Sequence, residues 1–194
     1  KAMHGWGIPM ATDIAYHHQK QTPSAMIGND IIDLRLTRVE SNWQRKGFLE
    51  KLFTTFEQSL IYDSDNPEQM VWHLWSRKEA AYKIYNRETK IRAFIPKQIE
   101  CFSLPLADDF SLGKVGIADQ EYFTKTEVTS EFIYATAVVN LKDFDKIQTI
   151  NSNEIAKDSD GIPFHVNTKN PVSISHHGRF ERKITLDCNV QSRF

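Results

Sequence analysis

The stretch Trp75-Ser76-Arg77-Lys78-Glu79-Ala80-Ala81-Tyr82-Lys83 decides the reading of the chain. It lies inside a run, residues 70–85, that contains neither Gly nor Pro. Pro67 stands ahead of the run, and Glu68 suits a first helical turn. Val71, Leu74, Trp75, Ala81, Ile84 and Tyr85 recur at the spacing of one buried helical face. Glu79 and Lys83 are four apart, so they share a side of this helix. Trp72, Trp75 and Ser76 extend that side toward the N-terminus. A carboxylate and an ammonium beside aromatic rings can serve a metal and a phosphate. The same spacing is more commonly an ordinary surface pair worth roughly 0.2–0.5 kcal/mol.

A second stretch shifts the balance. Met26-Ile27-Gly28-Asn29-Asp30-Ile31-Ile32-Asp33-Leu34 reads as a short buried strand carrying an acid among apolar residues. Burying an ionised carboxylate is costly unless a cation or hydrogen bonds compensate it. Gly28 lets another backbone or a ligand come close. Asp33 is three residues from Asp30, so a regular strand turns it to the opposite face, away from any shared metal. Gly28-x-Asp30 followed by a Trp75-x-x-Lys78-Glu79-Ala80-x-x-Lys83 helix resembles the 4′-phosphopantetheinyl transferase superfamily. The order and spacing are most similar to its small branch, the holo-acyl-carrier-protein synthases.

The resemblance implies an α+β fold, with an antiparallel sheet packed against a long helix. It implies transfer of 4′-phosphopantetheine from coenzyme A to a serine of apo acyl carrier protein, releasing adenosine 3′,5′-bisphosphate. Asp30 and Glu79 would hold Mg²⁺, a hard ion that binds through few carboxylates and substrate phosphates. Lys83 would reach the transferring phosphate or help take the serine proton, with a water on the metal as the rival base. Lys78 would bind nucleotide phosphate or pack its stem. Ser175 and His176, in Ser173-Ile174-Ser175-His176, would contact coenzyme A; a strand-end histidine held by hydrogen bonds is the plainer alternative. Arg35, Arg38 and Arg45 would meet an acidic helix of the carrier protein, although Leu36 stands where the family usually places an arginine. Charge alone allows these arginines to be a solvated helical face. Ile32 occupies the position of a second acid found in the larger branch, and the serine–histidine segment follows the Gly-x-Asp strand as in the small branch. Small-branch enzymes complete their sites between subunits, so a homo-oligomer, with a trimer possible, is implied. A silent module that binds carrier protein or acyl-coenzyme A is the competing reading. Fatty-acid synthesis is the default setting; polyketide or peptide assembly stays open.

Composition agrees with a soluble domain. The 194 residues suffice for one core, and 40% hydrophobic with 25% charged residues is ordinary for such a domain. A formal net charge of -1 gives no global field for nucleic acid or an anionic membrane, and no nucleic-acid motif is present. Cys101 and Cys188 form no metal spacing or disulfide framework, so a reducing compartment, the cytoplasm by default, is expected. No apolar run reaches the roughly 18 residues of a membrane span.

Residues 1–25 read apart from the rest. About a dozen of them, from His4 to Ala15, resemble part of a sodium/proton antiporter, with Asp13 at that family's ion-pathway position. They are expected to be a disordered or artefactual leader to a domain over 26–187, with a tail over 188–194. Thr54 with Glu57 three later predicts a capping box and a helix to about Tyr62. Residues 91–96, 97–104, 112–117, 121–128 and 132–139 alternate as strands with hairpin-sized separators. Residues 147–156 are a weak helix candidate. Residues 157–164 turn into a strand through Gly161-Ile162-Pro163, and residues 172–176 form a strand with one polar face. Phe180, Ile184 and Leu186 fit one face of a last strand.

Overall fold

The computed structural model describes residues 25–104 and 112–187. The expectations for the leader and the tail fall on residues 1–24 and 188–194, outside the described residues.

The central helix forms as the sequence predicts. It is α4, Pro67–Thr89, opened by Pro67 and capped by Asn66, whose side chain accepts from the Gln69 amide at 3.1 Å. Val71, Leu74, Ala80, Ala81 and Ile84 make its buried stripe. Three shorter helices precede it: α1 (Leu34–Glu40), α2 (Phe48–Leu52) and α3 (Thr55–Tyr62). The Thr54–Glu57 capping box is formed in both directions.

A five-stranded antiparallel sheet packs on α4 in the order β1-β5-β4-β3-β2. Its strands are β1 (Ile27–Asp33), β2 (Ile99–Ser103), β3 (Leu112–Ile117), β4 (Gln120–Val128) and β5 (Phe132–Val138). The main core lies between helix and sheet and includes Ile32, Leu74, Ala80, Ile84, Val115, Tyr122 and Ile133. A second sheet, β6-β10-β9, uses β6 (Ile147–Thr149), β9 (Val172–His177) and β10 (Phe180–Leu186). It meets the other face of β1 through a small core of Ile27, Val138, Ile184 and Leu186. β7 (Ile155–Lys157) and β8 (Pro163–His165) form a hairpin. The fold is therefore α+β, an antiparallel sheet packed against one long helix. No helix among the described residues is long and apolar enough to cross a membrane.

Two local expectations are corrected. Residues 91–95 join no strand. Phe94 instead folds edge-on against Trp75 and Tyr82, at 5.5 and 4.9 Å between ring centroids, and Pro96 opens a 3₁₀ turn. The helix candidate at 147–156 is two short strands around a 3₁₀ turn at Ser152–Glu154. Its first strand is held in extended form by pairing with β10, Ile147 opposite Leu186.

Candidate active site

Gly28 explains why β1 and α4 come so close. A Cβ there would lie 1.9 Å from the carbonyl oxygen of Ala80. Only a residue without a side chain permits this approach. Ile32 on the same face of β1 packs into the main core. Asp30 lies between Gly28 and Ile32 on that face, and Glu79 directly precedes Ala80.

Asp30 and Glu79 line one cleft of about 430 Å³ with Phe48, Trp72, Trp75 and His176. The Asp30 carboxyl is pushed up to about 7, chiefly by burial; Lys83 opposes this and the Glu79 charge adds to it. Burial likewise raises Glu79, again against Lys83. Lys83 Nζ lies 3.7 Å from Asp30 Oδ1 and donates to the carbonyls of Asn29 at 2.6 Å and Ile174 at 3.2 Å. Its ammonium thus stands where α4, β1 and β9 meet.

Lys83 also borders a cavity of about 680 Å³. Arg87, Lys90, Arg92 and Lys157 share its lining with Asp160, Gly161 and Pro163; Lys90 Nζ lies 3.3 Å from Asp160 Oδ2, which leaves the basic side chains in excess. Arg87 Nη2 donates to the carbonyls of Val172 and Pro163, while its Nε and Nη1 are buried with no hydrogen-bond partner among the described residues. Such a cavity suits an anion. Sequence reading did not assign Arg87, Lys90, Arg92 or Lys157 to a site. The signal was there: Arg87 follows Lys83 by four, continuing the row begun by Glu79, beyond the point where the apolar period was followed.

Two acids made reluctant to ionise by burial, and Asp30 also by the Glu79 charge, call for a cation. Oxygen ligands suit a hard ion such as Mg²⁺. Among the described residues no group of three or more His, Cys, Asp and Glu could hold a metal; Asp30 and Glu79 are two acids that line one cleft. In donor chemistry, carboxylate oxygens in a shared cleft, the pair is of the kind such an ion takes.

The remaining predicted residues divide. His176 is exposed and lines the acidic cleft. Ser175 does not face that cleft: it is buried, and its Oγ has no partner among the described residues. The polar face of β9 is its inward one, because Ser173 Oγ donates to Asn29 Oδ1 at 2.7 Å and accepts from the Asn29 amide at 2.9 Å. Lys78 takes the second of its two expected roles, packing its stem. Its side chain is fully buried, 2.6 Å from Glu57 Oε2, and donates to the carbonyls of Leu52 and Pro96. No donor remains for a nucleotide phosphate. Arg77 is spent on the core as well, donating to Thr124 Oγ1 and to the carbonyls of Phe102 and Lys114. Arg35, Arg38 and Arg45 are exposed, with Arg38 Nε 3.5 Å from Glu68 Oε1. Asp33 turns away from Asp30 as strand parity predicts, and caps α1 by accepting from the Arg35 and Leu36 amides.

A half-buried acid pair on a strand and a helix, flanked by a lysine and a cavity with mostly basic lining, has the chemistry to handle a phosphorylated substrate. A family model of the 4′-phosphopantetheinyl transferase superfamily matches residues 26–129, and the chain belongs to that superfamily. Comparison with curated proteins gives no match. Asp30, Glu79 and Lys83 fall inside the matched residues; His176 and the β9–β10 hairpin lie beyond them.

Proposed function

We propose that the protein transfers 4′-phosphopantetheine from coenzyme A to a serine of apo acyl carrier protein, as a holo-acyl-carrier-protein synthase. The observation that carries this reading is the row Trp75, Glu79 and Lys83 opposite Asp30, between an aromatic cleft and a basic cavity. Coenzyme A has the matching parts: an anionic nucleotide, a pyrophosphate and a less polar pantetheine arm. The nucleotide end suits Arg87, Lys90, Arg92 and Lys157; the arm suits Trp72, Trp75 and Phe48.

Asp30 and Glu79 would hold Mg²⁺, which when bound supplies charge neutralisation to the pyrophosphate. The chain's own groups do the rest. Lys83, donating to two carbonyls, serves as a fixed positive charge toward the phosphate that transfers. His176, at the rim, offers a polar contact to the coenzyme. The carrier serine attacks the β-phosphorus as the bond to adenosine 3′,5′-bisphosphate breaks, so alignment by the two clefts provides much of the advantage. Arg35, Arg38 and Arg45 present positive charge to an acidic carrier helix. The cytoplasm is the proposed setting, consistent with the free, buried Cys101 thiol. A homo-oligomer, trimeric in the small branch, is part of the reading.

The test is incubation with coenzyme A, Mg²⁺ and apo carrier protein, followed by intact-protein mass. The carrier should gain one phosphopantetheine. Tight binding of carrier or coenzyme without any gain would support the silent binding module instead.

A further inference from the structure

We propose that Arg179, acting through Asp33, is a positioning residue that holds the histidine-bearing end of β9 over the cleft of Asp30 and Glu79. The inference rests on the coenzyme reading of that cleft.

β9 is attached to the free edge of β1 by side chains. The Asn29 amide donates to Ser173 Oγ and the Asp33 amide to His177 Nδ1, each at 2.9 Å. Both bonds join residues 144 apart in sequence, so β9 runs alongside β1 in constant register. Ser175 lies between them and adds no bond among the described residues. Val172, Ser173 and the core around Ile184 fix the first half of β9. The second half, which carries His176, is held by pairing with β10, by the His177 bond and a Glu40 oxygen 3.5 Å from His177 Nε2, and by what secures the turn.

Asp33 secures it. Arg179 places Nε on Asp33 Oδ2 and Nη2 on Oδ1, each at 2.9 Å, and its amide donates to Oδ2 at 3.0 Å. A fourth nitrogen, Nη1, reaches Glu131 Oε1 at 3.1 Å. The Asp33 side chain is only 2% exposed, and the Arg179 hydrogen bonds hold its carboxyl well below the usual carboxylate range. Gly178 bends the turn at φ 54°, and a Cβ on it would lie 2.5 Å from Asp33 Oδ2. The turn is moulded to one carboxylate by a two-point charged contact, stronger and more directional than neutral hydrogen bonds.

Asp33 Oδ1 also caps α1, which carries Arg35 and Arg38. Asp33 therefore joins the helix proposed to dock the carrier to the hairpin proposed to touch the coenzyme. Removing the arginine releases only the hairpin; removing the carboxylate releases both.

The test is steady-state kinetics for both substrates, with calorimetric coenzyme A affinity and melting temperature, on Arg179→Gln, Arg179→Lys and Asp33→Ala. Arg179→Gln should raise KM and Kd for coenzyme A by about tenfold, with kcat within about twofold and KM for the carrier unchanged. Arg179→Lys should recover part of the coenzyme affinity, and Asp33→Ala should raise both KM values. A folded Arg179→Gln protein with wild-type KM and Kd for coenzyme A overturns the proposal. So does an equal rise in both KM values in that variant. A wild-type protein that modifies no carrier under the same conditions overturns the functional reading itself, before any variant is compared.

Discussion

Gly28 of β1 lies against the carbonyl of Ala80 on α4, so close that a Cβ would come within 1.9 Å of its oxygen. The contact joins the two halves of the acidic site, because Asp30 and Glu79 flank it. Gly28→Ala should push strand from helix and destabilise the protein by about 1–3 kcal/mol, the cost of overpacking a tight contact. It should also weaken Mg²⁺ binding as the two acids separate. Denaturant midpoints and titration with Mg²⁺ check both effects; unchanged stability would show that the backbone can yield there.

Glu79→Gln keeps the shape of the side chain and removes its charge. Turnover with coenzyme A and apo carrier protein should fall by about a hundredfold or more, while circular dichroism and melting temperature hold or improve. Near-normal turnover with Mg²⁺ would falsify the assignment of Glu79 to the site.

Asp30 links the site to pH. Its folded-state pKa, about 7, lies above the usual carboxylate value, so between roughly pH 4 and 7 the folded protein binds the extra proton. Stability without metal should therefore be fuller below pH 4 and be lost as pH rises through 7. Asp30→Asn should raise the melting temperature of the metal-free protein at pH 8 and change it little at pH 4. Mg²⁺ affinity should move the other way, weakening as the carboxyl takes up its proton below pH 7. Melting curves across pH, with and without Mg²⁺, measure both; a gain in Asp30→Asn that is the same at pH 4 and 8 would contradict the linkage.

Lys78 belongs to the interior, with Glu57 as its partner at 2.6 Å. Lys78→Met leaves a buried carboxylate uncompensated and should cost about 3–5 kcal/mol. The double change Lys78→Met with Glu57→Gln should cost less, since no lone charge remains. KM for coenzyme A should be unaltered in the folded Lys78→Met protein at low temperature. A selective rise in that KM would return Lys78 to the coenzyme site.

The sequence made the frame legible where pattern and chemistry coincide. Glu79 and Lys83 were placed by helical period, Asp30 and Asp33 by strand parity, and the β3–β4–β5 meander by alternation between hairpin-sized turns. Lys78 and Ser175 were not legible, because period assigns a face but not what covers it. Lys78 meets Glu57 from α3, and Ser175 is buried with no partner for its Oγ among the described residues, both tertiary facts. The same holds for Arg179. Nothing local links it to Asp33, 146 residues earlier in the chain. The strand expected at 91–96 failed because its alternation serves Phe94, an aromatic plug for α4, and not a neighbouring strand.

Both outer strands of the large sheet have main-chain donors already occupied by side chains. At β1 the Asn29 and Asp33 amides meet Ser173 and His177; at β2 the Cys101 amide meets Glu57 Oε1 at 2.9 Å. A strand from another molecule would have to displace these groups before it could extend the sheet at those points. The attachment that carries a histidine to the cleft is thus also a guard against aggregation. A variant that loosens β9 should form fibrils or soluble aggregates more readily, in addition to any change in its kinetics.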